Sequence, residues 1–472
     1  MQYIADLHLH SKYSRATSRD LDLENINKWA RIKGINILAA SDFTHPVWLK
    51  EMKSKLVRQD NGLYVLDSRS AGVSPQRTPV RLSQTKQVHL TPASESPRGD
   101  SDGASNFASK SLTGDFGGAS DLSPIYFMPV TEISCIYSKG GKCRRLHLMI
   151  FLPDFEAVDK FNFEIERRGG KLKSDGRPIL GMDAKEILKI MMEISSDAMM
   201  IPAHAWTPWF AIFGSKSGFD SLEECFEELT PQIRAIETGL SSDPPMNWRL
   251  SQLDNITLIS NSDAHSPQNL GREANVFEIE KEKLSYKEII RIIKEGDKKK
   301  FKFTIEFFPE EGMYHFDGHR SCNVQFSPPE SEKNKNICPV CKKPLTIGVM
   351  NRVESLADRK EDINNKNFIP YKSLVPLREI IAEVENKGRA TKTVETIYYD
   401  LIAKGGSEFN ILLKLSYDDL EKIASENIVE AIRRVRERKL IINPGYDGVY
   451  GTVEIFSVQE KEKFKPRQAR LI

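Results

Sequence analysis

Apolar residues along this chain follow two periods, and the switching between them predicts the architecture. Short, nearly continuous apolar runs at 3–7, 35–40, 127–131, 146–150, 199–203, 233–237 and 256–260 have the length and aliphatic content of strands buried on both faces. Between several of them the spacing becomes helical, at 22–33 (stopped by Gly34), 183–194 and 284–295. Strand, helix, strand repetition predicts an α/β fold with a parallel sheet, and strand ends that deliver one kind of chemistry predict a barrel. Further along, helical spacing at 377–386, 391–404, 417–424 and 427–438 predicts a helical domain, with Ser416 and Asp419 placed as a cap. A turn-rich stretch at 444–451 then leads to an apolar strand at 452–456.

Composition divides this pattern into parts. From about 66 to 123 the chain turns to Ser, Gly, Thr, Pro and Asp with few large apolar residues, which predicts a disordered insertion between the second and third strands. His89 falls inside it and is set aside as a ligand. With 472 residues the chain is long enough for about three domains: a barrel at 1–306, a module at 307–365 and a helical domain at 366–472. Net charge is only +2, so any attraction to nucleic acid must be local. No apolar run is long enough to span a bilayer and no signal peptide is evident, so the expectation is a cytoplasmic protein without membrane contact.

The candidate chemistry sits where the strands end. The first strand delivers His8 and His10, whose alternation turns both imidazoles to one side. Later strands deliver Asp42 and His45, Glu132, His204, and Asp263 with His265, while His147 lies within the strand at 146–150. The chain holds nine histidines, and six of them occupy these places. Alone, each would more often be a hydrogen-bonded core or surface residue. The set predicts a multinuclear centre of mixed imidazole and carboxylate ligands, suited to two or three ions of zinc, manganese or magnesium, with iron also compatible. Clustered ions activate water and stabilise a pentacoordinate phosphoryl group, and Asp263 and Glu132, with His204, are the candidate catalytic residues.

A second cluster is local. Cys338-Pro339-Val340-Cys341 is a zinc-ribbon knuckle, and His319 with Cys322 completes four ligands for one structural zinc, His315 being the competitor for the histidine place. Basic residues gather at Lys139, Lys142, Arg144 and Arg145 around Gly140-Gly141, at 298–302 and at 433–439. The first group forms a rim loop able to hold phosphates. Trp206, Trp209 and Phe210 follow His204 and either stack bases near the metals or pack a lid over the barrel.

The motifs Asp6-Leu7-His8-Leu9-His10-Ser11, Ser41-Asp42, Glu132, His147, His204 and Asp263-Ala264-His265 resemble those of the PHP superfamily. That resemblance implies a distorted (β/α)7 barrel with a trinuclear metal centre. Two departures stand out: the second motif's adjacent Asp-His pair is stretched to Asp42-Phe43-Thr44-His45, and a later ligand position of the first motif falls near Ala16. About 165 residues follow the barrel, and their motifs extend the likeness. Tyr314-His315-Phe316-Asp317-Gly318-His319-Arg320, Arg352-Val353-Glu354-Ser355-Leu356-Ala357-Asp358-Arg359 and Pro444-Gly445-Tyr446-Asp447-Gly448-Val449-Tyr450-Gly451 resemble the endonuclease Q family.

Membership would imply a metal-dependent DNA repair endonuclease that hydrolyses the phosphodiester 5′ of uracil, hypoxanthine, xanthine or abasic sites. Its products would carry a 3′-hydroxyl and a 5′-phosphate. Archaeal members use the replication clamp, but residues 468–472 lack the aromatic pair of a clamp-binding box. Arg320, Arg352 and Arg359 are charged candidates for either backbone contact or internal ion pairs. The alternative reading is a phosphoesterase acting on a small phosphomonoester, or on single strands without lesion specificity.

Overall fold

The computed structural model describes residues 1–67, 123–360 and 368–463. Residues 68–122 of the Ser/Gly-rich insertion, with His89, lie outside the described residues, as does the tail at 468–472.

The fold is mixed α/β around a central sheet that combines parallel and antiparallel strands. Seven of them surround the site: β1 (Gln2–Asp6), β2 (Ile37–Ala40), β3 (Tyr126–Lys139), β4 (Lys142–Phe151), β5 (Met199–Pro202), β6 (Ala235–Glu237) and β7 (Thr257–Ile259). β1 pairs parallel with β2 and β2 parallel with β3, with Ala5 opposite Ile37 and Ala40 opposite Pro129. β3 and β4 form a long antiparallel hairpin, and β4 runs antiparallel to β5. The Ala205 amide then donates to the Glu237 carbonyl, and β6 pairs parallel with β7. Just beyond β7, Ala264 bridges to Leu9 in parallel, which brings the hydrogen bonding back to β1.

The sequence pattern predicted 146–150 as one more parallel strand, and here the structure differs. Lys139 and Lys142 face each other across Gly140 and Gly141, whose φ angles are 59° and 72°. Two successive left-handed residues make the tight hairpin turn that matches strand twist. A two-residue turn can join only antiparallel neighbours, so β4 reverses direction.

Helices flank this framework where the apolar spacing put them. Leu23–Lys33 is capped by Asp22, which accepts from the Asn25 amide, and it ends at Gly34. Ala184–Ile194 and Tyr286–Glu295 start at the capping side chains Asp183 and Ser285. Beyond β7, strands Ala274–Glu278 and Phe301–Glu306 extend the sheet from β1, and Phe301–Glu306 pairs parallel with Tyr371–Ser373. The C-terminal helices Leu377–Val384, Lys392–Gly405 and Glu426–Arg436 continue the same apolar core. Their attachment includes a buried ion pair, Lys33 Nζ to Glu408 Oε2 at 2.8 Å, and Tyr398 donates to the same carboxylate at 2.6 Å. Among the described residues no helix is long and apolar enough to cross a membrane.

Candidate metal centre

Seven of the nine strand-end residues meet. Three donor groups, each with ligand atoms within 4.8 Å of one another, are His8, His10 and Glu132; His10, Asp263 and His265; and Glu132, His147 and His204. Glu132 and His10 each belong to two groups, so the three form one continuous constellation. Glu132 Oε1 lies 2.7 Å from His147 Nδ1 and 3.1 Å from His204 Nε2, while its Oε2 lies 3.4 Å from His10 Nε2. Asp263 Oδ1 lies 3.0 Å from His10 Nε2 and 3.7 Å from His8 Nε2.

Backbone strain holds some of these groups in place. Asp42, His204 and Asp263 all have left-handed φ, at 56°, 29° and 45°. Such conformations cost free energy for residues with a Cβ and persist only where the surroundings enforce them. Gly239 supplies one such enforcement: a Cβ on it would lie 2.5 Å from the His204 Cβ.

Behind the ligands stands a layer of orienting acids. Glu237, fully buried at the end of β6, receives His8 Nδ1 at 3.0 Å on both oxygens, and also binds the His204 amide and the Asn261 side chain. A carboxylate on one ring nitrogen fixes the tautomer and turns the other nitrogen toward the centre. Asp6 accepts from the Ser262 amide, the Ser262 hydroxyl and the Gly271 amide, bracing the loop that carries Asp263.

The residues present fit a metal. His8 Nε2 is buried in the constellation without a hydrogen-bond partner, the signature of a donor awaiting an acceptor other than protein. Burial would raise the pKa of Glu132, but His147, Arg177 and His8 around it hold it well below the usual carboxylate range. Burial pushes His147 down to about 4, so its imidazole is neutral and able to ligate. His10 is raised to about 9, because Asp42 and Asp263 outweigh the effect of burial, so an incoming cation would displace a proton there.

Two strand-end residues stand apart. Asp42 spends both oxygens on its neighbours: Oδ1 takes His10 Nδ1 at 3.2 Å, and Oδ2 accepts from the Ser11 amide and the Ser14 hydroxyl. It orients His10 and is absent from the donor groups. His45, expected as a ligand, instead caps helix Pro46–Lys55, with Nδ1 accepting from the Trp48 amide, and its ring stacks on Tyr13. Phe43 and Thr44 separate it from Asp42, and the next helix begins at Pro46.

The Cys/His cluster is also assembled. His319, Cys322, Cys338 and Cys341 place one ligand atom each within 4.8 Å of the others. His315 is buried away from them, its ring packed beside Phe316. The apolar cluster beneath consists of only Val324, Cys338 and Leu345, with Cys322, Phe326 and Cys341 packed on it.

Residues 376–439 match the family described as the MJ0043 C-terminal domain. The uncharacterized protein MJ0043 of Methanocaldococcus jannaschii is 32% identical over 285 residues, 58% of this chain and 35% of that protein. The chain therefore spans about a third of that relative's length. Protein YqxK of Bacillus subtilis, also uncharacterized, is 26% identical over 313 residues, 66% of this chain and 74% of its own. Two solved structures match nearly end to end, each with a TM-score of 0.75. The lesion-specific endonuclease PfuEndoQ of Pyrococcus furiosus is 26% identical, covering 98% of this chain and 99% of that one. Endonuclease Q in complex with a 27-mer duplex bearing an abasic lesion at the active site is 27% identical, covering 100% of both.

The chain resembles endonuclease Q over its whole length.

Within this endonuclease Q-like framework, the predicted DNA-contacting residues divide sharply. Trp206 is 0% exposed, and its indole donates to Asn247 Oδ1, so it packs the interior and is not a stacking surface. Trp209 is 42% exposed and lies edge-on to Tyr314. Arg144 is likewise buried, its guanidinium 3.9 Å from the Phe219 ring centroid and donating to the Gly218 carbonyl, so it braces the loop. Lys139 pairs with Glu227 at 2.7 Å and Asp183 at 3.5 Å, whereas Lys142 at the hairpin tip is exposed. Arg145 sits 5.9 Å from the Phe210 ring centroid. Arg352 and Arg359 form internal pairs with Asp220 and Asp254, while the Arg320 amide donates to Asp447 and its side chain reaches the exposed surface beside Gly448.

Two residues beside the donor groups were not expected from the sequence. Glu237 ends a predicted strand just as Glu132 does, so the same signal was present. Arg177, whose Nη1 donates to Glu132 Oε2 at 3.0 Å, comes from a loop without periodicity.

Proposed function

We propose that this protein is a metal-dependent DNA endonuclease that hydrolyses the phosphodiester on the 5′ side of a deaminated base or an abasic site, leaving a 3′-hydroxyl and a 5′-phosphate. One observation carries the reading. A constellation of shared carboxylates and imidazoles lies in a chain that matches, over its whole length, an endonuclease Q bound to a duplex with an abasic lesion at its active site.

The returning strand pairing at 1–306 is read as a distorted (β/α)7 barrel of PHP type. Residues 307–365 are read as a structural zinc module, and 366–472 as a helical DNA-binding domain. His8, His10, Glu132, His147, His204, Asp263 and His265 would hold two or three divalent ions, of zinc, manganese or magnesium. Bound there, such ions supply a water made acidic enough to attack at neutral pH and charge to offset the phosphoryl oxygens.

The chain's own groups do the remaining work. Glu237 and Asp42 fix the ring orientations of His8 and His10, so the donor set is preorganised before substrate arrives. Glu132 and His204 hold the buried side of the centre. Asp263, whose side chain is 25% exposed, stands at the open side, where with the ions bound it would be the nearest carboxylate to take a proton from the water. Reaching one nucleotide in a duplex requires unstacking it, which is cheapest at a mispaired or missing base. The exposed Trp209 beside Tyr314 offers an aromatic surface for the nucleotides around the lesion.

End-labelled duplexes carrying a single uracil, hypoxanthine or abasic site, incubated with magnesium, manganese or zinc, test the proposal. The expected product is one nick immediately 5′ of the lesion with a ligatable 3′-hydroxyl. Cleavage at scattered positions, or equal cleavage of the undamaged duplex, contradicts it.

A further inference from the structure

The centre is lined by acids and imidazoles, and among the described residues Arg177 is the permanently charged cation hydrogen-bonded to its donor groups. Arg177 Nη1 donates to Glu132 Oε2 at 3.0 Å, and among the described residues that carboxylate is the guanidinium's hydrogen-bond partner. A guanidinium carries five N–H donors in a planar fork, so most of its capacity is unspent. The side chain is 24% exposed, comparable to Asp263 at 25%, whereas Glu132 is 1% exposed. Arg177 thus touches buried Glu132 with one nitrogen while about a quarter of its side chain stays exposed.

Its backbone is fixed from several directions. The Arg177 amide donates to Asp175 Oδ1 at 3.1 Å, Thr44 Oγ1 donates to the Gly176 carbonyl at 3.0 Å, and the Gly176 amide donates to the Tyr13 carbonyl at 3.0 Å. On the far side the Ser134 amide donates to the Pro178 carbonyl at 3.0 Å, tying the loop to β3 two residues beyond Glu132. Gly176 is packed so closely that a Cβ there would lie 2.6 Å from Asp42 Oδ2. A merely solvated arginine needs no such anchoring.

We propose that Arg177 is a further catalytic residue, which binds a non-bridging oxygen of the scissile phosphate through its free N–H groups while one nitrogen stays on Glu132. This rests on the phosphodiesterase reading above and extends it to a substrate contact. A planar fork matches phosphate oxygens in a way that a lysine point charge does not. Donors aimed at a phosphoryl group as its charge redistributes act mainly on the rate of the chemical step.

The test compares the full-length metal-loaded protein with Arg177→Ala and Arg177→Lys. On a duplex with one abasic site, Arg177→Ala is expected to lower the single-turnover rate by about 10²- to 10³-fold, with metal content per chain unchanged. Arg177→Lys should recover only part of that loss. Arg177→Ala should also weaken duplex binding, and this weakening should vanish when the phosphate 5′ of the lesion is a neutral methylphosphonate. Unchanged rates in Arg177→Ala, or a loss of bound metal whose replenishment restores the rate, overturns the proposal, the second result making Arg177 only a brace for Glu132.

Bis(p-nitrophenyl) phosphate, assayed in parallel, separates this inference from the lesion reading. A wild-type protein that ignores the lesion duplex but hydrolyses this diester in an Arg177-dependent way keeps the arginine assignment and removes the lesion reading. A wild-type protein inert toward both removes both.

Discussion

The strand-end constellation and the Cys/His cluster are both sets of metal-binding side chains, yet they stand in opposite relations to the fold. The first draws ligands from residues 8 to 265, and these lie close together only because strands far apart in sequence are neighbours in space. A large apolar core surrounds it, and orienting acids such as Glu237 hold the rings in place. The second draws all four ligands from residues 319–341, over an apolar cluster of only three buried residues. Such a segment cannot offset its ordering entropy by burial alone. In one region the fold builds the site, and in the other, on the zinc reading proposed above, the site would build the fold.

This contrast predicts opposite failures on losing a ligand, and the largest belongs to the cysteine cluster. Structural zinc contributes about 10–16 kcal/mol in small zinc-dependent modules, so Cys338→Ser is expected to unfold its segment. Limited proteolysis should then cut near 317–345 while the rest of the chain resists, and a segment that stays protected would remove the distinction. Next comes Asp263→Asn, which should leave thermal unfolding nearly unchanged and lower the nicking rate by about 10³-fold. A comparable loss of stability in that variant would mean that the strand-end site also supports the fold.

Gly239→Ala probes how tightly the scaffold aims one ligand. Its φ is 64°, and a Cβ there meets His204, so the variant should lose about 1–3 kcal/mol in urea unfolding. Displacing His204 by even 1 Å should lower the rate about 10²-fold. Activity equal to wild type would show that His204 need not be held so closely.

The smallest effect is a pH slope. Glu306 accepts from Thr238 and Ser260 beneath the ends of β6 and β7, and burial together with the nearby Asp243 pushes its pKa from 4.5 to about 8. The folded state therefore keeps a proton that the unfolded state has lost, and the stability this confers falls as pH rises from about 4.5 through about 8. Glu306→Gln should flatten that fall in the thermal midpoint. An unaltered slope would place its origin elsewhere.

Much of this organisation was legible because it depends on periods and on residue types at strand ends. Asp22, Asp183 and Ser285 cap helices where the apolar spacing placed their starts, and seven proposed ligands meet because each closes or occupies a strand that reaches the centre. The failures are equally physical. His45 lies three residues past Asp42 and caps the next helix, a placement that pattern alone does not reveal. Trp206 and Arg144 carry chemistry suited to nucleic acid, but burial is decided by packing partners remote in sequence, Asn247 for one and Phe219 for the other. Arg177 carried no signal at all, since its place depends on a loop pinned to three separate segments.

Metal content per chain is the most direct test of the central claim, that distant strands share one multinuclear centre through Glu132. Compared with wild type, Cys338→Ser should lose one equivalent. Glu132→Gln, which disrupts two donor groups at once, should lose more than one while the chain stays folded. Identical metal content in Glu132→Gln and wild type would contradict the account.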